Sequence, residues 1–205
     1  METRRKGKRH LLFLCTGNTC RSPMAAGYMK KILDESMPRI KNIEVKTAGV
    51  MTVAGLLATP ESVQIMDAVG VDLRKYRSTK LTPEMIKKAD LILGMTPFHV
   101  QSALRMLPDA RGKTFLLKEY TGSDVRHAQI SDPMGCTLEV YKRVFGDIKS
   151  ACDKLLKSEF ILGRKKSEKW AHEAKKSKHP ASKTIRSKSF STPKAQGKTV
   201  KKKVR

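Results

Sequence analysis

Cys15 and Arg21 stand with five residues between them in the run Cys15-Thr16-Gly17-Asn18-Thr19-Cys20-Arg21-Ser22-Pro23. A cysteine thiolate is a nucleophile, and a guanidinium offers a planar fork of donors to an oxyanion. In a chain this rich in arginine the pair alone is a weak signal, and its surroundings sharpen it. The apolar run at 10–15 leads in, Gly17-Asn18 lies inside, and Ser22-Pro23 follows. Five residues can curl until successive backbone N–H groups point inward as an anion nest. Gly17 and Asn18 tolerate the positive φ such a curl needs. Ser22 reads as a helix cap with Pro23 in the first turn, which sets the positive end of a helix dipole beneath the anion. The same field lowers the Cys15 thiol pKa, and the Ser22 hydroxyl can donate to the thiolate. The candidate phosphate-binding set is therefore Thr16, Gly17, Asn18, Thr19, Cys20, Arg21 and Ser22, with Cys15 as nucleophile.

The elements that must hold this loop are legible as alternating strands and helices. Apolar runs predict strands at 10–15, 43–47, 91–95 and 114–117. Helices are expected from Ser22 to about Glu35, after Thr59-Pro60-Glu61 as far as Gly70, after Thr82-Pro83-Glu84, after Pro97, and over 138–156. Residues 118–136 read as one long polar loop. The fold class that follows is α/β: a three-layer sandwich with a mostly parallel four-stranded sheet and helices on both faces. Cys15 then lies beyond the carboxyl end of a strand, where such sheets bind ligands.

The chain has 205 residues and a formal net charge of +24. Residues 164–205 hold 16 Lys and Arg against 2 acids and show almost no aliphatic pattern. Such a segment cannot bury enough apolar surface to offset its ordering entropy, and it reads as disordered. The expected organisation is a basic extension at 1–9, an α/β domain at 10–158 and a Lys-rich tail at 159–205. Four cysteines, at 15, 20, 136 and 152, do not suggest a secreted disulfide framework. The short run Leu11-Leu12-Phe13-Leu14 is too brief for a signal peptide or a membrane span. A reducing cytoplasm is the expected setting.

The nine-residue loop resembles the low-molecular-weight protein tyrosine phosphatase family, whose signature is Cys-x5-Arg-Ser-Pro at the end of the first strand. Asp132-Pro133, in the loop before the last helix, matches a second family element. By that resemblance Asp132 is the general acid and then the base that activates water, Arg21 is catalytic beside Cys15, and neither a metal nor another cofactor is required. The resemblance covers roughly residues 10–158. Within the family, Thr19 stands where phosphotyrosine members carry a branched aliphatic residue, and Met134 where they carry an aromatic. Cys-Thr-Gly-Asn-Thr-Cys-Arg-Ser resembles more closely the bacterial protein-arginine-phosphatase branch, as do Thr47-Ala48-Gly49-Val50, Ala58-Thr59-Pro60, Ala89-Asp90-Leu91 and Leu117-Lys118-Glu119-Tyr120. Two departures from that branch remain: Thr47 replaces a serine, and Met134 replaces an aromatic lining the pocket. There the residue matching Thr19 selects for phosphoarginine. Thr19 and Met134 are thus the candidate selectivity residues, and Cys20, by the same carry-over, the redox partner of Cys15.

Other readings compete. Cys15 with Cys20 would be half a zinc site, but no second pair stands at ligand spacing. Asp132-Pro133 alone is a turn signal. Cys136 and Cys152 read as buried small hydrophobes, and Lys118-Glu119-Tyr120 as a solvated edge. The substrate expected first is protein phosphoarginine, then phosphotyrosine, with arsenate reduction more distant. A polyanion-binding protein with a vestigial loop is the reading from another class, because the basic tail favours non-specific nucleic-acid contact.

Overall fold

The computed structural model describes residues 7–38, 40–124 and 127–163. Seven residues, Arg9–Cys15, form the central strand β1. Leu11, Phe13 and Cys15 face one core, and Leu12 and Leu14 face another. Both faces of the strand are buried, which is why it reads as a continuous apolar run rather than an alternating one.

The chain continues through α1 (Arg21–Ser36), β2 (Ile43–Gly49), α2 (Pro60–Ala68), α3 (Pro83–Lys88), β3 (Leu91–Gly94), α4 (Pro97–Met106), a 3-10 turn, β4 (Thr114–Leu116), α5 (Leu117–Tyr120), α6 (Leu138–Leu156) and α7 (Glu159–Leu162). The sheet order is β2-β1-β3-β4 and every ladder is parallel. After β1 the chain moves to one side for β2 and returns to the other for β3. The carboxyl end of β1 is therefore the switch point where a crevice opens. Cys15 pairs with Gly49 there, and Leu14 with Gly94.

Thr59 and Thr82 cap their helices, accepting from the Ser62 and Met85 backbone N–H groups, with proline in each first turn. The buried face of α6 carries Tyr141, Val144, Phe145, Ile148, Ala151, Cys152 and Leu155, spaced as one helical stripe. It packs on α1, where the Tyr28 and Phe145 rings meet edge-on at 5.7 Å and the Tyr28 hydroxyl donates to Asp153.

Several expectations need correction. Cys20, not Ser22, precedes the first residue of α1, and no side chain caps that helix. The Ser22 hydroxyl is engaged by Cys15 instead. Residues 118–136 are not loop throughout, since α5 takes their start, pinned by fully buried Leu117, with Lys118, Glu119 and Tyr120 half-buried. Cys136 is exposed, whereas Cys152 is buried as read. Packing also runs past residue 158. Ile161 of α7 is fully buried, and Arg9 donates to the carbonyls of Phe160 and Ile161. The basic segment 164–205 and residues 1–6 lie outside the described residues. Among those described, no helix is long and apolar enough to cross a membrane.

Candidate active site

The loop between β1 and α1 turns on Asn18, the one described non-glycine residue with a positive φ, at 56°. Gly17, expected to share that conformation, does not adopt it. Asparagine tolerates the left-handed region because its short polar side chain bonds locally. Here its Nδ2 donates to Ser22 Oγ at 2.7 Å, and its Oδ1 accepts from the Thr79 backbone N–H at 2.7 Å. Gly49 lets the loop pass close to β2, since a Cβ there would stand 2.7 Å from the Thr16 carbonyl oxygen.

Cys15 Sγ is buried, 2.9 Å from Ser22 Oγ and 3.2 Å from the Asn18 backbone nitrogen. Ser22 Oγ already accepts from Asn18, so its own hydrogen is available to the sulfur. Against the expectation that the loop's field lowers it, the Cys15 thiol stands above its ordinary value: burial pushes it up, and the opposing pull of the Ser22 hydroxyl, the Ser22 and Asn18 backbone N–H groups and the Arg21 charge is smaller. Next to Asn18, burial raises the Tyr76 phenol to about 12, and its hydroxyl sits 2.7 Å from Thr47 Oγ1.

Arg21 is 2% exposed, and its donors fan out around the loop. Nη1 donates to the Ile130 carbonyl at 3.2 Å, while Nη2 donates to Thr16 Oγ1 at 3.2 Å and to the Asp132 carboxylate. Its Nε is buried and has no partner. Asp132 stands at the mouth with a side chain 45% exposed, and its Oδ1 accepts from the Met134 N–H. The structure thus joins the three residues expected to be catalytic, although 111 positions separate Arg21 from Asp132.

Sequence reasoning missed His99. Its Nε2 lies 3.0 Å from Thr16 Oγ1, its Nδ1 3.0 Å from the Thr96 backbone nitrogen, and the residue is 1% exposed. Burial, then the Arg21 charge, pushes His99 down to about 4. The signal within reach was Thr96-Pro97-Phe98-His99, a helix start directly after a strand.

Thr19 is 7% exposed, and its hydroxyl lies 3.6 Å from Cys20 Sγ. Cys20 Sγ also meets the hydroxyls of Tyr141 at 3.4 Å and Thr59 at 3.7 Å, and burial followed by Cys20 raises the Tyr141 phenol. Cys15 and Cys20 are both free thiols. Met134 stands exposed after Asp132-Pro133, where Gly135 turns the chain at φ 76°. Among the described residues, no group of three or more His, Cys, Asp or Glu side chains is placed to hold a metal ion.

The model of the family described as "Low molecular weight phosphotyrosine protein phosphatase" matches residues 10–168. The chain belongs to this family. It is a protein phosphatase of the low-molecular-weight type. The protein-arginine-phosphatase of Bacillus subtilis (strain 168) is 36% identical over 148 residues, which span 72% of this chain and 94% of the relative. The low molecular weight protein-tyrosine-phosphatase Etp of Escherichia coli (strain K12) is 32% identical over 144 residues, 69% of this chain and 88% of the relative. Among solved structures, a mutant of the YwlE arginine phosphatase with a phosphorylated active-site serine superimposes with a TM-score of 0.68. It is 33% identical, over 73% of this chain and 95% of that one.

Proposed function

We propose that this phosphatase removes phosphate from phosphoarginine side chains of proteins, carrying the phosphoryl group on Cys15. The observation that carries the cysteine chemistry is the convergence of Ser22 Oγ and the Asn18 N–H on Cys15 Sγ, beside a buried Arg21 Nε that has no partner. An unpaired buried donor is costly, and a phosphoryl oxygen removes that cost. With the phosphoryl group on Nε and Nη2, Arg21 releases Asp132, whose carboxyl then faces the leaving group. Cys15 Sγ attacks in line, so that the S–P bond forms as the bond to the leaving nitrogen breaks and Asp132 gives that nitrogen its proton. Asp132 next takes a proton from water, the water oxygen bonds to phosphorus, and the S–P bond breaks to release phosphate and the thiolate. Arg21 and the loop amides hold the charge on the equatorial oxygens throughout.

Phosphoarginine is favoured over phosphotyrosine by Thr19 in the loop and by the likeness to the Bacillus enzyme. The likeness to Etp and the family description support phosphotyrosine as the second reading. Two peptides with identical flanks, one bearing each phosphoresidue, separate them. Wild type is expected to prefer phosphoarginine. Thr19→Ile, which exchanges a hydroxyl for an ethyl group on the same branched scaffold, is expected to shift the ratio of kcat/KM toward phosphotyrosine by roughly tenfold to a hundredfold. A wild-type preference for phosphotyrosine hands the function to the second reading.

Cys20 completes the proposal as the thiol that captures oxidised Cys15 as a disulfide, which suits a reducing cytoplasm that restores both. Polyanion contact through the basic tail is an added property, and a chain ending at residue 163 is expected to keep turnover while losing it.

A further inference from the structure

His99 reaches the loop from α4 through its Nε2, 3.0 Å from Thr16 Oγ1. Gly94 makes this approach feasible, because a Cβ at Gly94 would lie 3.1 Å from His99 Cβ and 3.2 Å from the Val100 backbone nitrogen. The backbone N–H of Thr96 points at Nδ1 from 3.0 Å. A backbone N–H only donates, so Nδ1 must accept and cannot carry a proton. The ring proton of the neutral imidazole is therefore on Nε2, and Nε2–H donates to Thr16 Oγ1 at 3.0 Å. Arg21 Nη2 donates to the same oxygen at 3.2 Å. Both lone pairs of that hydroxyl are occupied, and only its hydrogen is left for a third partner.

Resting on the cysteine-phosphatase reading above, we propose that His99 is a positioning residue for the reaction, fixing the Thr16 hydroxyl as acceptor for Arg21 and as donor toward the phosphoryl group. Thr16 follows the nucleophile directly, so a hydroxyl locked in this way adds one oriented donor beside the guanidinium fork. His99 touches no reacting atom and acts through Thr16 alone. Its depressed basicity agrees with this arrangement, since a protonated ring would lose the Thr96 bond and set a second positive charge against Arg21.

The test uses the full chain in a double-mutant cycle of His99→Asn and Thr16→Val, with His99→Gln as rescue. Asn Oδ1 retains an acceptor near Nδ1 for the Thr96 N–H, but no atom of Asn reaches Thr16. Gln restores an amide N–H at the distance of Nε2. His99→Asn is expected to lower kcat/KM on an aryl phosphate about tenfold and to raise the inhibition constant of inorganic phosphate by a similar factor, the size of one oriented hydrogen bond. Its Tm is expected to stay near wild type. His99→Gln is expected to recover most of the loss, and adding His99→Asn to Thr16→Val to cost less than about twofold more. Nitrogen NMR of the unsubstituted protein is expected to show the Nε2–H tautomer and a shift of that ring when phosphate binds. The inference is overturned by wild-type kinetics for His99→Asn, by a full additive loss in the Thr16→Val background, by rates that follow Tm across the series, or by the Nδ1–H tautomer. Cys15→Ser is the control on the underlying reading. If it still turns over, the cysteine mechanism fails; if it is inert and His99→Asn is not impaired, only the role of His99 fails.

Discussion

Replacing Asn18 tests the geometry of the phosphate loop at the point where most of it converges. Asn18→Ala removes the Nδ2 bond to Ser22 and the Oδ1 bond from the Thr79 N–H, both 2.7 Å long. It also obliges an alanine to hold φ 56°. Each hydrogen bond is worth about 0.5–1.5 kcal/mol net, and the left-handed backbone costs an L-residue about 1–2 kcal/mol. The total is about 2–5 kcal/mol, and it falls on the loop rather than on the core. Because Asn18 directs the Ser22 hydrogen toward Cys15, the penalty appears as lost transition-state stabilisation, roughly 30- to 5000-fold in kcat/KM. Asn18→Gly loses the same bonds without the backbone strain, so it is expected to exceed the alanine variant about five- to thirtyfold. The assay is kcat/KM on an aryl phosphate for both variants, with Tm measured alongside. An alanine variant within threefold of wild type, or alanine and glycine variants of equal rate, refutes the reasoning.

Three further outcomes are expected. Ser22→Ala removes the side-chain donor that holds the thiol down, so the Cys15 pKa rises further and the ascending limb of the pH–rate profile moves to higher pH; an unmoved limb contradicts this. Asp132→Ala is expected to lose far more rate on a substrate with a poor leaving group than on an activated aryl phosphate, because only the first needs the proton; equal losses argue against the acid role. His99 sits at about 4 in the folded chain against 6.5 unperturbed, so the unfolded state binds the proton first. Its contribution is therefore full above pH 6.5 and is lost as pH falls toward 4, by up to about 3 kcal/mol. Denaturant midpoints across that window should fall less steeply for His99→Gln than for wild type.

The parts of this protein that were legible are those whose cause is local. The run ending at Cys15 betrays a central strand because Leu11 and Phe13 enter one core while Leu12 and Leu14 enter the other. Thr59 and Thr82 announce their helices because caps and first-turn prolines act within four residues. Ser22 carried the same signal and misled, because the tertiary demand of Cys15 took its hydroxyl. Helix α5 is too short for any period to show, and what holds it is the burial of Leu117. Cys136 followed the habit of its residue type, and only its place in the turn after Pro133 exposes it. His99 was out of reach for a different reason. Its bond to Thr96 is local, but the one to Thr16 spans 83 positions and depends on Gly94 bringing α4 against the strand ends.

Rapid acid quenching during turnover of a phosphorylated protein, followed by peptide mass mapping, tests the covalent route most directly. The peptide carrying Cys15 is expected to gain one phosphoryl group in wild type and, with an activated aryl phosphate whose leaving group needs no proton from Asp132, to gain more of it in Asp132→Ala, where water is activated poorly. Steady turnover with no phosphoryl group on Cys15 in either protein would contradict a cysteinyl-phosphate intermediate and, with it, the assignment of Cys15 as the nucleophile.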